Sequence, residues 1–365
     1  FKSVLREIEA NPNLDISLIV IGMHLSPEYG YTVEEIEEDG FKIDAKIDVL
    51  HGKDTGAAMS KSIGKCMVKT ARALERIKPD VLLILGDRSE MLVGAVSATY
   101  MGIPIAHIHG GDISGNVDEP VRHAITKLAH IHFAATKESA DRIIKMGEEP
   151  WRVYVVGAPG LDLILNETLV EPSELAKKCG LDLSKPVLLV VQHSVVTEAD
   201  DAPNQIRETL EAIIELGCQT VLIYPNADAG GRRMIEVIKE YEKYPFIKTF
   251  RSVPHKEYLS FMKLASVMVG NSSSGIIEAP SFGLPVVNIG TRQMGRQRAE
   301  NVIDVNYDRK EIKVAIQKAL YDEKFREKVK NSKNFYGDGK AGIRIANVLS
   351  EIKIDKRLLE KRMTY

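Results

Sequence analysis

Four carboxylates, Asp87, Asp112, Asp118 and Glu119, fall at or just beyond places where a buried strand would end. Acids gathered around one cleft raise one another's pKa and divide acid and base work between them. Taken singly, Asp118 and Glu119 also fit the first turn of a helix carrying Pro120. Asp87 is less easily explained that way, because it follows a run of aliphatic residues and precedes Arg88, an odd place for a solubilising charge. A second constellation is Gly270-Asn-Ser-Ser-Ser-Gly275, a small-residue turn feeding a helix expected from about Ile276. Helix N-terminal amides with Ser272 and Ser273 hydroxyls suit phosphate oxygens. Glu278, one turn further in, can accept hydrogen bonds from vicinal hydroxyls such as those of a ribose. The same residues also fit a serine-rich cap with a dipole-favoured acid.

Five histidines lie between 107 and 132. His107 and His109 are i,i+2 on a strand, and His123 and His130 are seven apart on a helix, but no H-E-x-x-H or equivalent spacing joins them. No metal site is therefore expected, and some of these rings should point inward as hydrogen-bonded core residues. His193 stands alone after a buried strand, where it can donate to a diphosphate. Neither G-x-x-x-x-G-K-[ST] nor a strand-linked G-x-G-x-x-G occurs, which argues against an ATPase and a dinucleotide enzyme.

The elements that must position these groups are short β-branched runs at 16–21, 81–85, 103–108, 153–156, 187–191, 221–224, 267–269 and 286–289. They lack polar alternation, so both faces of each are covered, as in a parallel sheet flanked by helices. Residues 57–77 carry the clearest helical stripe and end at Lys78-Pro79. Thr32 with Glu35 reads as a capping box. Ligands of open parallel sheets sit beyond the carboxyl ends of the strands, which is why the residues after each run matter. Two doubly wound α/β domains are expected, 1–160 and 161–340, with a helical segment 341–365 able to pack back on the first.

The 365 residues hold 49 Lys+Arg against 51 Asp+Glu, a net charge of -2 that gives no polyelectrolyte-binding tail, so no nucleic-acid partner is expected. Three widely spaced cysteines do not make a disulfide framework, and a reducing cytoplasmic setting is the expectation. The uncharged stretch 91–111 is long enough to resemble a membrane span but is broken by Gly102-Ile103-Pro104, and 1–10 lacks the apolar core of a signal peptide. No membrane association is expected.

Taken together, Gly86-Asp87-Arg88, His107-Ile-His-Gly-Gly-Asp112, Asp118-Glu119 with Arg122-His-Ala-Ile-Thr-Lys-Leu-Ala-His130, Gln192-His193, Gly270-Asn-Ser-Ser-Ser-Gly275 and Gly290-Thr-Arg-Gln293 resemble the UDP-N-acetylglucosamine 2-epimerase family. The order and spacing match over nearly the whole chain, and the Arg-His-Ala-Ile-Thr-Lys-Leu and Gly-Asn-Ser-Ser-Ser-Gly runs look like its hydrolysing branch. The resemblance implies two Rossmann-like domains of the GT-B type, a UDP-sugar in the interdomain cleft, no metal or redox cofactor, and a homo-oligomer, dimer or tetramer. It implies that the C2 proton is removed and UDP expelled to give a 2-acetamidoglucal, which is hydrated to N-acetylmannosamine. On that pattern Asp87 and Asp118 match acid/base positions. His193, Ser272, Ser273 and Arg292 match positions around the diphosphate, Glu278 the ribose carboxylate and His24 the sugar site. Arg88 and Glu119 belong to the same substrate-binding motifs.

Two departures from the family pattern stand out. Where members commonly carry Glu, 22 residues after Asp87, this chain has His109, so that role passes to His109, to Asp112, or is dispensed with. The family also opens with a strand ending in Thr-Arg, whereas 1–6 already reads as the following helix. A sheet without its middle strand would expose edges that it normally pairs, so the expectation is a recorded start that falls after that strand. The readings that compete are the same reaction on UDP-N,N'-diacetylbacillosamine, a non-hydrolysing epimerase, a glycosyltransferase of the same fold, and a non-catalytic nucleotide-sugar binder.

Overall fold

A computed structural model describes residues 1–49, 55–115 and 117–364. Its strands are β1 Leu18–Ile21, β2 Ile43–Ile47, β3 Leu82–Leu85, β4 Ile105–Ile108, β5 Ile131–Ala134 and β6 Val153–Val155, then β7 Val187–Val191, β8 Gln219–Ile223, β9 Ile247–Phe250, β10 Val267–Gly270, β11 Val286–Ile289 and β12 Val302–Val305. All the pairings among them are parallel. In the C-terminal half the strands run β12-β11-β10-β7-β8-β9, a doubly wound order with its switch point between β7 and β10. In the N-terminal half β1 pairs with β2, and a second sheet runs β3-β4-β5-β6. The molecule is thus built as two Rossmann-like α/β domains.

The absence of polar alternation has the expected cause. Along β7, Leu188 and Val190 enter one core while Val187, Leu189 and Val191 enter the core on the opposite face. Eight apolar runs mark eight strands, but β2, β5, β9 and β12 go unmarked. Three of these are edges of their sheets, where one face is less covered and polar residues such as Asp44, Lys46, Lys248 and Asp304 alternate in. The fourth, β5, is interior but contains His132, fully buried and 3.2 Å from the Glu148 carboxylate.

The helices that carry the site are α1 Lys2–Glu9, α2 Val33–Glu38, α3 Gly56–Ile77, α4 Ser89–Tyr100, α5 Asp118–Leu128 and α6 Lys137–Lys145. The capping box expected at α2 does not form. Thr32 is its N-cap residue but makes no capping bond. Instead its hydroxyl lies 2.7 Å from His24 Nδ1, and Glu35 accepts the backbone N–H of His255 at 2.9 Å. Tertiary partners from the neighbouring loop and the other half outcompete the local motif.

The final segment is helical only in part. A helix at Ala341–Glu351 packs on α1, a single turn follows at Lys356–Leu359, and the other described residues of the segment are non-helical. Arg152, 1% exposed, donates to the carbonyls of Arg357, Leu358 and Glu360, and so ties this segment to the N-terminal half. Ile345, Ala346 and Leu358 share a core with Val4, Ile8 and the strand residues Ile108 and Phe133.

Candidate active site

The C-terminal wall of the cleft grows from the switch point. Beyond β7, the His193 backbone N–H donates to Asn271 Oδ1 at 2.7 Å, and Asn271 returns a bond to the His193 carbonyl at 2.8 Å. This reciprocal pair clamps the ends of the two central strands. His193 Nδ1 accepts the Asn226 N–H at 3.1 Å, which leaves the ring proton on Nε2. Burial, with the Arg292 charge acting the same way, pushes the ring down to about 3, so it is a neutral donor. Arg292 reaches the Asn271 carbonyl at 3.3 Å with one nitrogen and Asp118 at 3.4 Å with another.

The helix beyond the serine turn starts at Ser274 rather than near Ile276, and it is a single turn ending at Ile277. Ser273 is its N-cap residue but makes no capping bond, so a cap does not account for its hydroxyl. Ser272 bonds Ser274 at 3.3 Å. Glu278 is the C-cap residue of this turn and not a residue within a longer helix. Its Oε2 is buried without a hydrogen-bond partner, and burial raises its pKa, with His109 the first charge to oppose the rise.

The N-terminal wall is assembled from segments farther apart in the chain. Asp87, beyond β3, is paired with Arg122, 1% exposed on α5. Arg122 also donates to the Asp112 carbonyl and the Ser114 hydroxyl, both at 3.0 Å. Asp118 opens α5 facing Arg292. Burial raises its pKa, opposed by Arg292 and assisted by Asp228. A carboxylate shifted upward yet still beside an arginine is suited to a proton-accepting role.

Arg88 meets Glu90 and, across the cleft, Asp228, both at 3.5 Å. His109 lies with its Nδ1 3.1 Å from Asp112. His24 sits in the 3-10 turn after β1, on the exposed rim.

Eight of the expected residues, Asp87, Arg88, His109, Asp118, His193, Ser272, Ser273 and Arg292, thus stand at strand or helix ends on the two walls. Two others are turned away. Asp112 is 3% exposed behind His109, and Glu119 spends its carboxylate on the Ser114 N–H at 3.0 Å and on His123 at 3.7 Å. Expectation missed Asp228, Asn226 and the structural use of Arg122. Asn226 and Asp228 follow β8, so the same strand-end rule points to them.

The two walls touch directly. The Gly115 N–H donates to the Arg292 carbonyl at 3.1 Å, and Arg296 donates to the Ile113 carbonyl at 3.2 Å. A Cβ on Gly115 would collide with the Thr291 carbonyl, so this approach requires glycine. Among the described residues no cluster of three or more His, Cys, Asp or Glu is arranged to hold a metal ion, and no helix is long and apolar enough to cross a membrane.

Two Rossmann-like domains facing each other across a cleft, with charged and hydrogen-bonding groups on both walls, make a fold of the GT-B type. The model of the UDP-N-acetylglucosamine 2-epimerase family matches residues 6–350. A Legionella pneumophila UDP-N,N'-diacetylbacillosamine 2-epimerase (hydrolyzing) is 40% identical over 100% of this chain and 95% of its own length. A Neisseria meningitidis UDP-N-acetylglucosamine 2-epimerase is 34% identical over 89% of this chain and 85% of its own.

A Campylobacter jejuni GDP/UDP-N,N'-diacetylbacillosamine 2-epimerase (hydrolyzing) is 35% identical over 83% of this chain and 80% of its own. Among solved structures, UDP-GlcNAc 2-epimerase from Neisseria meningitidis bound to UDP-GlcNAc superposes with a TM-score of 0.79 at 18% identity, covering 95% of each chain. The chain belongs to the UDP-N-acetylglucosamine 2-epimerase family, on its hydrolysing branch.

Proposed function

We propose that this enzyme binds a UDP-linked 2-acetamido sugar in the cleft, eliminates UDP across C1 and C2, and hydrates the resulting glucal to a free sugar of manno configuration at C2. The observation that carries the reading is the pairing of Asp118 with Arg292, 3.4 Å apart across the cleft. It puts a proton acceptor and a leaving-group cation within one substrate's reach. Asp118 takes the C2 proton, and the C–H pair becomes the C1–C2 double bond as the C1–O bond breaks. The departing diphosphate collects its charge against Arg292, His193 Nε2–H and the Ser272 and Ser273 hydroxyls. Glu278 holds the ribose hydroxyls, while Arg88 and His24 line the sugar side. In this reading residues 1–160 supply the acid/base wall, 161–340 hold UDP, and 341–365 return to the first domain.

Of the two sugars named by relatives, UDP-N,N'-diacetylbacillosamine is the substrate we assign. The relative bearing that name matches the whole chain at 40% identity, against 34% over 89% for the UDP-N-acetylglucosamine enzyme. Parallel incubations with the two UDP-sugars, followed by UDP release and sugar analysis, test both levels. Faster turnover of the diacetamido sugar supports the assignment, and faster turnover of UDP-N-acetylglucosamine reverses it. Release of UDP from neither, or a product still attached to UDP, overturns the hydrolysing reading itself.

A further inference from the structure

The elimination leaves a second half-reaction without an assigned acid, and the buried groups behind His109 supply one. His109 follows β4 with φ 64, a left-handed conformation that histidine adopts only uncommonly. Its N–H is held by the Phe133 carbonyl at 3.0 Å. The ring's Nδ1 is 3.1 Å from Asp112 Oδ2, and Nε2 has no hydrogen-bond partner among the described residues. Asp112 is 3% exposed, and its other oxygen accepts the Ser139 hydroxyl at 2.6 Å. Ser139 sits in the first turn of α6, its N–H capped by Thr136 Oγ1 at 3.1 Å. Gly111 makes this approach feasible, since its φ is 75 and an added Cβ would strike the Ser139 carbonyl.

On the strength of the elimination reading above, we propose that His109, as the imidazolium, is the acid that protonates C2 of the glucal, and that Asp112 and Ser139 are positioning residues that fix its orientation. In the imidazolium both ring nitrogens carry a proton; Asp112 holds Nδ1–H, so Nε2 is the atom that gives up its proton and the ring is left neutral with Nδ1–H still on Asp112. The Nε2–H bond breaks and a C2–H bond forms from the C1–C2 π pair. Water oxygen then bonds to C1, and the proton that this water loses returns through solvent to Nε2. Burial alone would raise the Asp112 carboxyl. The His109 contact and the Arg296 charge outweigh it and hold Asp112 ionised, as an orienting carboxylate must be. Asp112 itself is almost fully buried with one oxygen on His109 and the other on the Ser139 hydroxyl, which removes it from the list of direct proton donors.

The test separates the two half-reactions. In Asp112→Asn and His109→Gln, release of UDP from the substrate should continue, while 2-acetamidoglucal accumulates and free sugar forms about 10²- to 10⁴-fold more slowly. Ser139→Ala should show a smaller loss in the same step, which guards against misfolding of the Asp112 variant. The double variant His109→Gln/Asp112→Asn should be no slower than His109→Gln by more than about threefold, since an orienting group has nothing left to orient. Multiplying losses, or unchanged hydration in Asp112→Asn, overturns the proposal. A wild-type protein that released no UDP would instead overturn the elimination reading.

Discussion

The two walls of the cleft are made differently. The C-terminal wall is local: Gln192-His193 and Asn271-Ser272-Ser273 follow the two central strands of one sheet, and the Asn271 clamp joins them directly. The N-terminal wall depends on side chains brought together from β3, β4, α5 and α6, with Arg122 tying Asp87 to the 112–114 loop. In the proposed reading the strand-end wall offers the His193 ring, the Ser272 and Ser273 hydroxyls and Arg292 to the leaving group, while the N-terminal wall offers Asp118, whose pKa is raised by burial, to the proton.

The comparison is broken most directly by Asp118→Asn. The amide cannot take a proton, so the initial rate of UDP release should fall about 10²- to 10⁴-fold while the UDP affinity stays near wild type. A rate within about threefold of wild type would return Asp118 to the role of a helix-terminal acid. Arg292→Ala strikes both walls, because the guanidinium meets Asp118 as well as Asn271. Loss of a charged contact should weaken calorimetric UDP binding by about 10- to 100-fold. Ser273→Ala confines the damage to the C-terminal wall and should cost about 2- to 10-fold in the same titration, the scale of one neutral hydrogen bond. Unchanged affinity in both variants would move the nucleotide away from this wall.

A smaller effect concerns acid. Burial pushes His107 down to about 3 and His130 to about 4 in the N-terminal half, and His193 to about 3 in the C-terminal half. Each folded value lies below the ordinary 6.5, so the unfolded chain binds more protons below that pH. Stability should therefore decline as pH falls from 6.5 toward about 4, through loss from both halves. Urea midpoints measured at steps between pH 7.5 and 5 test this, and a flat or rising trend toward acid would contradict it.

The same contrast explains what could be read from the residues alone. Strands buried on both faces, such as β7 and β11, coincide with their apolar runs residue for residue, and the strand-end rule leads from them to His193 and Arg292. The edges β2, β9 and β12 were harder because their polar faces mask the run. In the N-terminal wall the residue types were legible but their uses were not. Asp112 looks like a cleft carboxylate until Ser139 is seen behind it, and Thr32 looks like a cap until His24 takes its hydroxyl. Asp228 meets Arg88 from the other half. The strand-end rule points to Asp228 as a position, but no local pattern encodes the partners these side chains take.

The central claim, elimination followed by hydration, is tested most directly by running the wild-type reaction on a UDP-2-acetamido sugar in heavy water and following it by NMR. The account predicts a free sugar of manno configuration carrying deuterium at C2, because the original proton leaves to Asp118 and the new one comes from a group in exchange with solvent. A sugar that keeps its C2 proton, or one transferred intact to an acceptor, would contradict it.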